Sequence, residues 1–196
     1  MSDVTPRVTA LRSEGGGRVR VELDGRPWRT LPAVAVVSAG VWEGVVLDRP
    51  RARELRRALR RAEALAVATA ALSRRDHSTA GLAAALERSG VAAPERADAV
   101  ETLGRLGYLD DERVASDRAT VLAGRGYGDE AIRFDLAQRG LGEESIALAV
   151  SSLEPEAARA ARLVESGAGI EKTARRLATK GFSDESIESA LGVLGE

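Results

Sequence analysis

The chain has 196 residues, with 29 Lys and Arg against 30 Asp and Glu and a formal net charge of −1. Apolar residues make up 44% and charged residues 30%, near the globular average, which excludes a chain disordered throughout. With no Cys and a single His, His77, the sequence excludes a disulfide framework, a thiolate nucleophile, Cys-ligated zinc or iron–sulfur centres and paired-imidazole metal sites.

There are 35 Ala but only 6 aromatic residues, so a core must be built from Leu, Val and Ala on closely approaching helices. No stretch approaches the roughly 20 apolar residues that span a bilayer, and the N-terminus carries no apolar signal core. A cytoplasmic protein with no membrane partner is expected. The charge is unevenly spread: residues 1–61 hold 13 Arg and 7 acids, whereas residues 110–155 hold 5 Arg and 10 acids. Such asymmetry points to a polyanionic or charged protein partner.

In chain order, Val8–Leu11 and Arg18–Leu23 alternate apolar with polar residues across Gly15–Gly17, which predicts a β-hairpin. Asp24-Gly25 supplies a second turn, and Trp28–Leu31 a third short strand before Pro32. The apolar runs Val34–Val37 and Val41–Val46 around Gly40 are expected to form a short helix and a turn. From Arg51 to Ser73 the pattern is helical, with Leu55, Leu59, Ala62, Leu65/Ala66 and Thr69 as the apolar stripe and Pro50 at the helix start. Arg51, Arg53, Arg56, Arg57, Arg60 and Arg61 surround that stripe.

The remainder repeats. Gly90, Gly140 and Gly181 are each preceded at four residues by Leu86, Leu136 or Leu177 and followed at once by Val91, Leu141 or Phe182. Then come an acidic start and another apolar stripe. The glycines suit the position just beyond a helix, where a left-handed backbone closes the turn. A further helix precedes each pair, at Arg51–Ser73, Asp111–Ala123 and Glu156–Ser166. The expected fold is mainly α: three tandem three-helix repeat units in an elongated, curved array with a small N-terminal β-hairpin segment. Its parts are residues 1–50, 51–109, 110–154 and 155–196, with stacked neighbours supplying the core.

Three stretches carry a family likeness: Ser73-Arg-Arg-Asp-His-Ser78 ahead of Leu82, Leu106-Gly-Tyr-Leu-Asp-Asp-Glu112, and Arg125-Gly-Tyr-Gly-Asp-Glu-Ala-Ile-Arg133 leading to Leu136 and Arg139-Gly140. In order and spacing the chain resembles RecX, the bacterial regulatory family that modulates the RecA recombinase. The resemblance implies binding to RecA filaments on single-stranded DNA, inhibition of strand exchange and ATP hydrolysis, and no enzymatic activity or cofactor. A monomer is expected. Two positions depart from the family pattern. Ser78 is followed by Thr79, Ala80 and Gly81, so no capping box forms and a helix start weaker by about 1 kcal/mol is expected. Val114 replaces an aromatic residue, which predicts a smaller core contact.

Candidate contacts to RecA or DNA are Arg56, Arg57, Arg60 and Arg61, then Arg74 and Arg75 near the next helix start, and Arg125, Arg133, Arg139, Arg175, Arg176 and Lys180. Each has a plainer account. The helix arginines form a solvated face in a chain with 27 Arg and 2 Lys, and Arg139 and Lys180 complement helix C-termini. A stand-alone nucleic-acid-binding module acting through the basic helix is the alternative function. Asp110, Asp111 and Glu112 suit an N-cap and first helical turn, because consecutive helical positions do not converge on one ion. Tyr108 is read as a wedge between units rather than a stacking platform, and His77 as a turn residue. Gly124–Gly128 follows a helix rather than a strand, so it is an interhelical turn and not a phosphate loop.

Overall fold

The computed structural model describes residues 5–164 and 169–192. Among the described residues the protein is mainly helical, with ten helices and one three-stranded antiparallel sheet. It divides into two compact units, Met1–Arg74 with Ala85–Thr102, and Arg75–Ala84 with Leu103–Glu196.

The first unit starts with the meander β1 (Val8–Ser13), β2 (Arg18–Leu23) and β3 (Arg26–Pro32). Leu11 pairs with Val21, and Val21 with Arg29. Between β2 and β3, Asp24 and Gly25 both have positive φ, the two-residue turn whose twist matches antiparallel strands. Val8, Val21 and Leu31 are buried against Ala35 and Val36 of α1 (Ala33–Ser38). Val41, Val45 and Leu47 complete this core from the irregular segment that follows.

Helix α2 (Arg49–Leu72) opens where Asp48 accepts the Arg51 amide, with Pro50 in the first turn. Its buried positions are Leu55, Ala58, Ala64 and Ala68, while Leu59 and Ala62 are half-buried. Ala66 and Thr69, expected on the stripe, are exposed. Small Ala side chains, which a pattern weighted towards Leu overlooks, set the packed face instead. Helices α3 (Thr79–Arg88) and α4 (Ala93–Arg105) follow.

In the second unit, α5 (Asp111–Gly124), α6 (Asp129–Gln138) and α7 (Glu143–Ser151) enclose one cluster that includes Ala115, Ala119, Ile132, Leu136, Leu141 and Ile146. Val114 is half-buried against it. Helices α8 (Glu156–Ala161), α9 (Ile170–Thr179) and α10 (Asp184–Gly192) enclose Ala160, Leu177, Phe182, Ile187 and Ala190. Helix α8 is shorter than the expected Glu156–Ser166. At Leu163 and Val164 the chain tightens into bonds to the carbonyls three residues back, and Arg176 takes the Leu163 carbonyl. Glu165 and Ser166 lie outside the described residues.

Gly140 and Gly181 have φ of 73° and 79°. In each turn the glycine amide and the next residue's amide return to the preceding helix, Leu141 to the Leu136 carbonyl at 3.3 Å and Phe182 to that of Leu177 at 3.2 Å. This closes the helix C-terminus as the sequence predicts.

Both glycine turns also dock on the start of an earlier helix within the second unit. Ser78 Oγ donates to the Arg139 carbonyl at 2.5 Å, and a Cβ on Gly140 would lie 2.7 Å from the Ala80 Cβ. In the same manner, the Gly128 amide donates to the Lys180 carbonyl at 2.9 Å and the Glu130 amide to that of Gly181 at 3.1 Å. A Cβ on Gly181 would lie 2.6 Å from Ala131.

The weak start expected for α3 is corrected here. Ser78 Oγ accepts the Gly81 amide at 3.0 Å, and Asp111 Oδ1, from α5, accepts the Thr79 amide at 2.7 Å. A carboxylate distant in sequence thus supplies the negative charge that a capping-box Glu would bring. The Tyr108 wedge is also corrected. Its amide closes on Leu103, but the residue is 62% exposed.

Candidate partner-binding groove

The N-terminus of α5 is capped by Asp110, whose Oδ1 accepts the Arg113 amide at 2.9 Å. The helix ends at Gly124, and the turn through Arg125 and Tyr127 leads into α6. Because Ile132 and Leu136 point α6 into the core, Phe134, two residues from each, is directed outward. The docked Lys180–Gly181 turn brings the end of α9 alongside. The result is a groove of about 570 Å³ lined by Leu122, Tyr127, Ala131, Phe134 and Ala178, with Arg118, Arg125, Glu130 and Asp135 as its charged groups.

Phe134, 67% exposed, and Tyr127 open the lining to solvent, while Leu122 belongs to the buried core beneath. Lys180 Nζ sits 5.4 Å from the centre of the Tyr127 ring and donates to the Arg125 carbonyl at 3.3 Å. An ammonium over an aromatic face is attracted by the ring's quadrupole.

One wall is fixed by ion pairing. Arg118 grips Asp135 with two bonds, Nε to Oδ2 at 2.9 Å and Nη2 to Oδ1 at 2.7 Å, and Arg139 Nε adds a third at 2.7 Å. The Arg118 hydrogen bond chiefly, with Arg139 beside it and against the effect of burial, holds the Asp135 carboxyl down to about 2. Bidentate geometry makes this pair a positioning device as well as a charge pair.

Below the groove, Arg159 is buried and binds the Tyr127 carbonyl at 2.9 Å, the Glu154 carbonyl at 3.0 Å and the Asp129 carboxylate. Its guanidinium lies 5.9 Å from the centre of the Phe182 ring. Glu156 Oε1 accepts the Asp129 amide at 2.6 Å, and its Oε2 accepts the Ser183 hydroxyl at 2.6 Å. Burial opposes ionisation of Glu156, but these donors outweigh it and leave its carboxyl below the usual range.

Among the expected contact residues, Arg125 lines the groove, and Arg139 and Lys180 join it through Asp135 and Tyr127. Arg133 is exposed on α6 outside the lining, and Arg175 is exposed on α9, 3.5 Å from Glu171. Arg176 is half-buried, its guanidinium committed to the Leu163 carbonyl. In the first unit, Arg56 is exposed. Arg57 meets Glu54 at 3.1 Å, Arg60 meets Glu95 at 2.6 Å and Arg61 meets Asp98 at 2.8 Å. Arg74 and Arg75 are exposed between α2 and α3. His77 is in that connection too, and buried.

Sequence reasoning passed over Arg118, Asp135, Phe134, Glu156 and Arg159. Phe134 carried a readable signal, an aromatic residue off its helix's apolar stripe. The two ion-pair networks carried none, since their partners lie 17 and 30 residues apart. Among the described residues, no group of three or more His, Asp or Glu side chains could hold a metal ion. None of their helices is long and apolar enough to cross a membrane.

No family model matches the chain. A regulatory protein RecX from Stenotrophomonas maltophilia (strain R551-3) is 36% identical over 129 residues, covering 61% of this chain and 79% of that protein. One from Xanthomonas axonopodis pv. citri (strain 306) is 33% identical over the same length, covering 61% and 80%. A crystal structure of a regulatory protein RecX superposes with a TM-score of 0.81 at 20% identity, over 93% of this chain and 97% of that one. RecX from Lactobacillus salivarius superposes with a TM-score of 0.63 at 15% identity, over 69% and 97%. With four-fifths of those curated relatives spanned at a third identity, and the same fold in solved structures, this chain belongs to the RecX family of regulatory proteins.

Proposed function

We propose that this protein regulates the RecA recombinase in the cytoplasm, binding the RecA filament on single-stranded DNA and lowering its ATPase and strand-exchange activity. The observation that carries this is membership of the RecX family, together with the three motif stretches that resemble it. The protein acts by binding, as a monomer, with no catalytic chemistry or cofactor of its own. In this reading α2–α4, α5–α7 and α8–α10 are three tandem units. The groove with Phe134, Tyr127, Arg125 and Lys180 offers the filament an aromatic surface edged by cations, Tyr and Arg being among the residue types enriched where interfaces bind most strongly. Arg56, Arg74, Arg75, Arg133 and Arg175 add exposed positive charge.

The alternative, stand-alone nucleic-acid binding through α2, is disfavoured because Arg57, Arg60 and Arg61 already hold carboxylates. One titration tests both. RecA ATP hydrolysis on single-stranded DNA is measured as substoichiometric protein is added, alongside salt-dependent binding of the protein to the same DNA without RecA. The expected result is a falling ATPase rate. An unchanged rate at every ratio overturns the proposal, and tight, salt-sensitive DNA binding without RecA favours the alternative.

A further inference from the structure

The strongest unassigned surface lies in the first unit, on α1 and the turn beyond it. Helix α1 buries Ala35 and Val36 and so turns Val34 and Val37, three residues apart, to the opposite side. They are 62% and 77% exposed, and Trp42 is 57% exposed. The Gly40 amide bonds to the Val37 carbonyl at 3.0 Å, and a Cβ on Gly40 would stand 3.5 Å from the Trp42 ring. The indole therefore lies against the turn that ends α1, which makes the two valines and the Trp one apolar ledge.

This ledge is held open. The Arg51 guanidinium sits 5.3 Å from the Trp42 ring centre and also donates to the Val46 carbonyl at 3.4 Å, which fixes the ring from one side. Exposed apolar patches of this kind mark interaction sites, and Trp and Arg are typical anchors at their centres.

The electrostatic setting selects the partner. Between Arg26 and Arg57 the chain has 7 Arg and only 3 acids. Each of the three acids is held by a partner within the unit while keeping its charge. Glu43 accepts the Leu11 amide at 2.9 Å, Asp48 caps the Arg51 amide at 2.9 Å, and Glu54 meets Arg57 at 3.1 Å. The stretch that carries the ledge is thus net positive by four, and Arg51 stands at the Trp42 ring itself, a charge complementary to an acidic partner. The Arg51 guanidinium already lies over the Trp42 ring, and the valines offer neither hydrogen bonds nor a stacking plane to a nucleobase, whereas they suit an apolar side chain of a protein.

We infer that the α1–Trp42 ledge is a docking site for an acidic protein segment that presents an apolar anchor side chain. Val34, Val37 and Trp42 receive the anchor, and Arg51 beside them receives a carboxylate. This goes beyond the RecA reading and stands or falls apart from it, since its readout contains neither RecA nor DNA.

The test presents the full-length protein with displayed short peptides of three classes: Asp/Glu with Leu, Phe or Trp, the same peptides with every acid replaced by its amide, and Lys/Arg with the same apolar residues. Binding of the enriched peptides is then measured by Trp fluorescence and by anisotropy. The acidic–apolar class is expected to be enriched. Val37→Asp and Trp42→Ser are each expected to weaken binding by about tenfold or more, the loss typical of an interface anchor. Val121→Asp, at an exposed valine on α5, leaves binding unchanged and controls for general loss of apolar surface. Circular dichroism verifies that the variants fold. Four outcomes overturn the inference: no enrichment, equal binding of the amide peptides, competition by a single-stranded oligonucleotide that Val37→Asp abolishes, or self-association in sedimentation that the same substitution removes.

Discussion

Asp111, the first residue of α5, accepts the backbone N–H of Thr79, the first residue of α3, at 2.7 Å across 32 positions of sequence. Glu156, the first residue of α8, does the same for Asp129, the first residue of α6, at 2.6 Å. Each acid leaves its own helix's first turn to cap another helix. Replacing Glu156 with Gln keeps the size but sets an amide N–H against donors already present. A loss of about 1–3 kcal/mol in urea unfolding is expected, as for a buried donor left without its acceptor. Asp111→Asn, at a more exposed site, is expected to cost about 1 kcal/mol.

Two glycines four residues apart are expected to respond in opposite directions. A Cβ on Gly128 would overlap the backbone of Gly181, which cannot move without breaking the docked turn. Gly128→Ala is therefore expected to destabilise the fold by more than about 2 kcal/mol, in the range of backbone and overpacking defects. Gly124 is helical with nothing within 4 Å of a Cβ, so Gly124→Ala is expected to stabilise by about 0.5 kcal/mol. Thermal melts of both variants decide this.

Acid stability depends on Asp135. Its folded pKa of about 2 is below the ordinary 3.8, so its contribution is complete above the ordinary value and is lost as pH falls from about 4 towards 2. Since the side chain keeps 28% of its exposure, about 1–2 kcal/mol is at stake. Asp135→Asn is expected to lower stability at neutral pH by about that amount and to flatten the profile below pH 4. A variant with the same acid limb as the wild type would refute this.

Phe134 is exposed, so Phe134→Ala is expected to change unfolding free energy by less than about 0.5 kcal/mol. The same substitution, and Lys180→Glu, should raise the concentration needed to halve RecA ATPase by about tenfold if the groove anchors the partner. Leu148→Ala, at an exposed residue of α7 outside the groove, serves as the comparison. Unchanged inhibition by Phe134→Ala would remove the groove from the interface.

What could be read in the sequence was whatever short-range chemistry decides. Asp24-Gly25 specified its hairpin turn, Asp110 its cap, and Gly140 and Gly181 their helix ends, because each acts on neighbours within five residues. The destinations of those same elements were not legible. Nothing local indicates that Gly140 rests on Ala80, or that the arginines of α2 meet Glu95 and Asp98 more than thirty residues away. The α2 stripe drifted at Ala66 and Thr69 for a related reason. In a helix so rich in Ala, the buried face is chosen by what packs against it, and the helix's own pattern barely distinguishes Ala64 and Ala68 from their neighbours. Phe134 was the exception, a functional candidate visible as an aromatic residue out of phase.

The docked turns are made mainly of main-chain atoms. The Lys180, Gly181 and Arg139 carbonyls are the acceptors, amides of Gly128 and Glu130 are among the donors, and the close approach requires only glycine on one side and a small residue on the other. The Arg139 side chain turns back to Asp135 on its own helix, while the Lys180 ammonium adds a bond to the Arg125 carbonyl beside its joint. A substitution at Arg139 is thus expected to change the charge of the outer surface while the docked turn keeps the main-chain carbonyls and glycine contact that hold it.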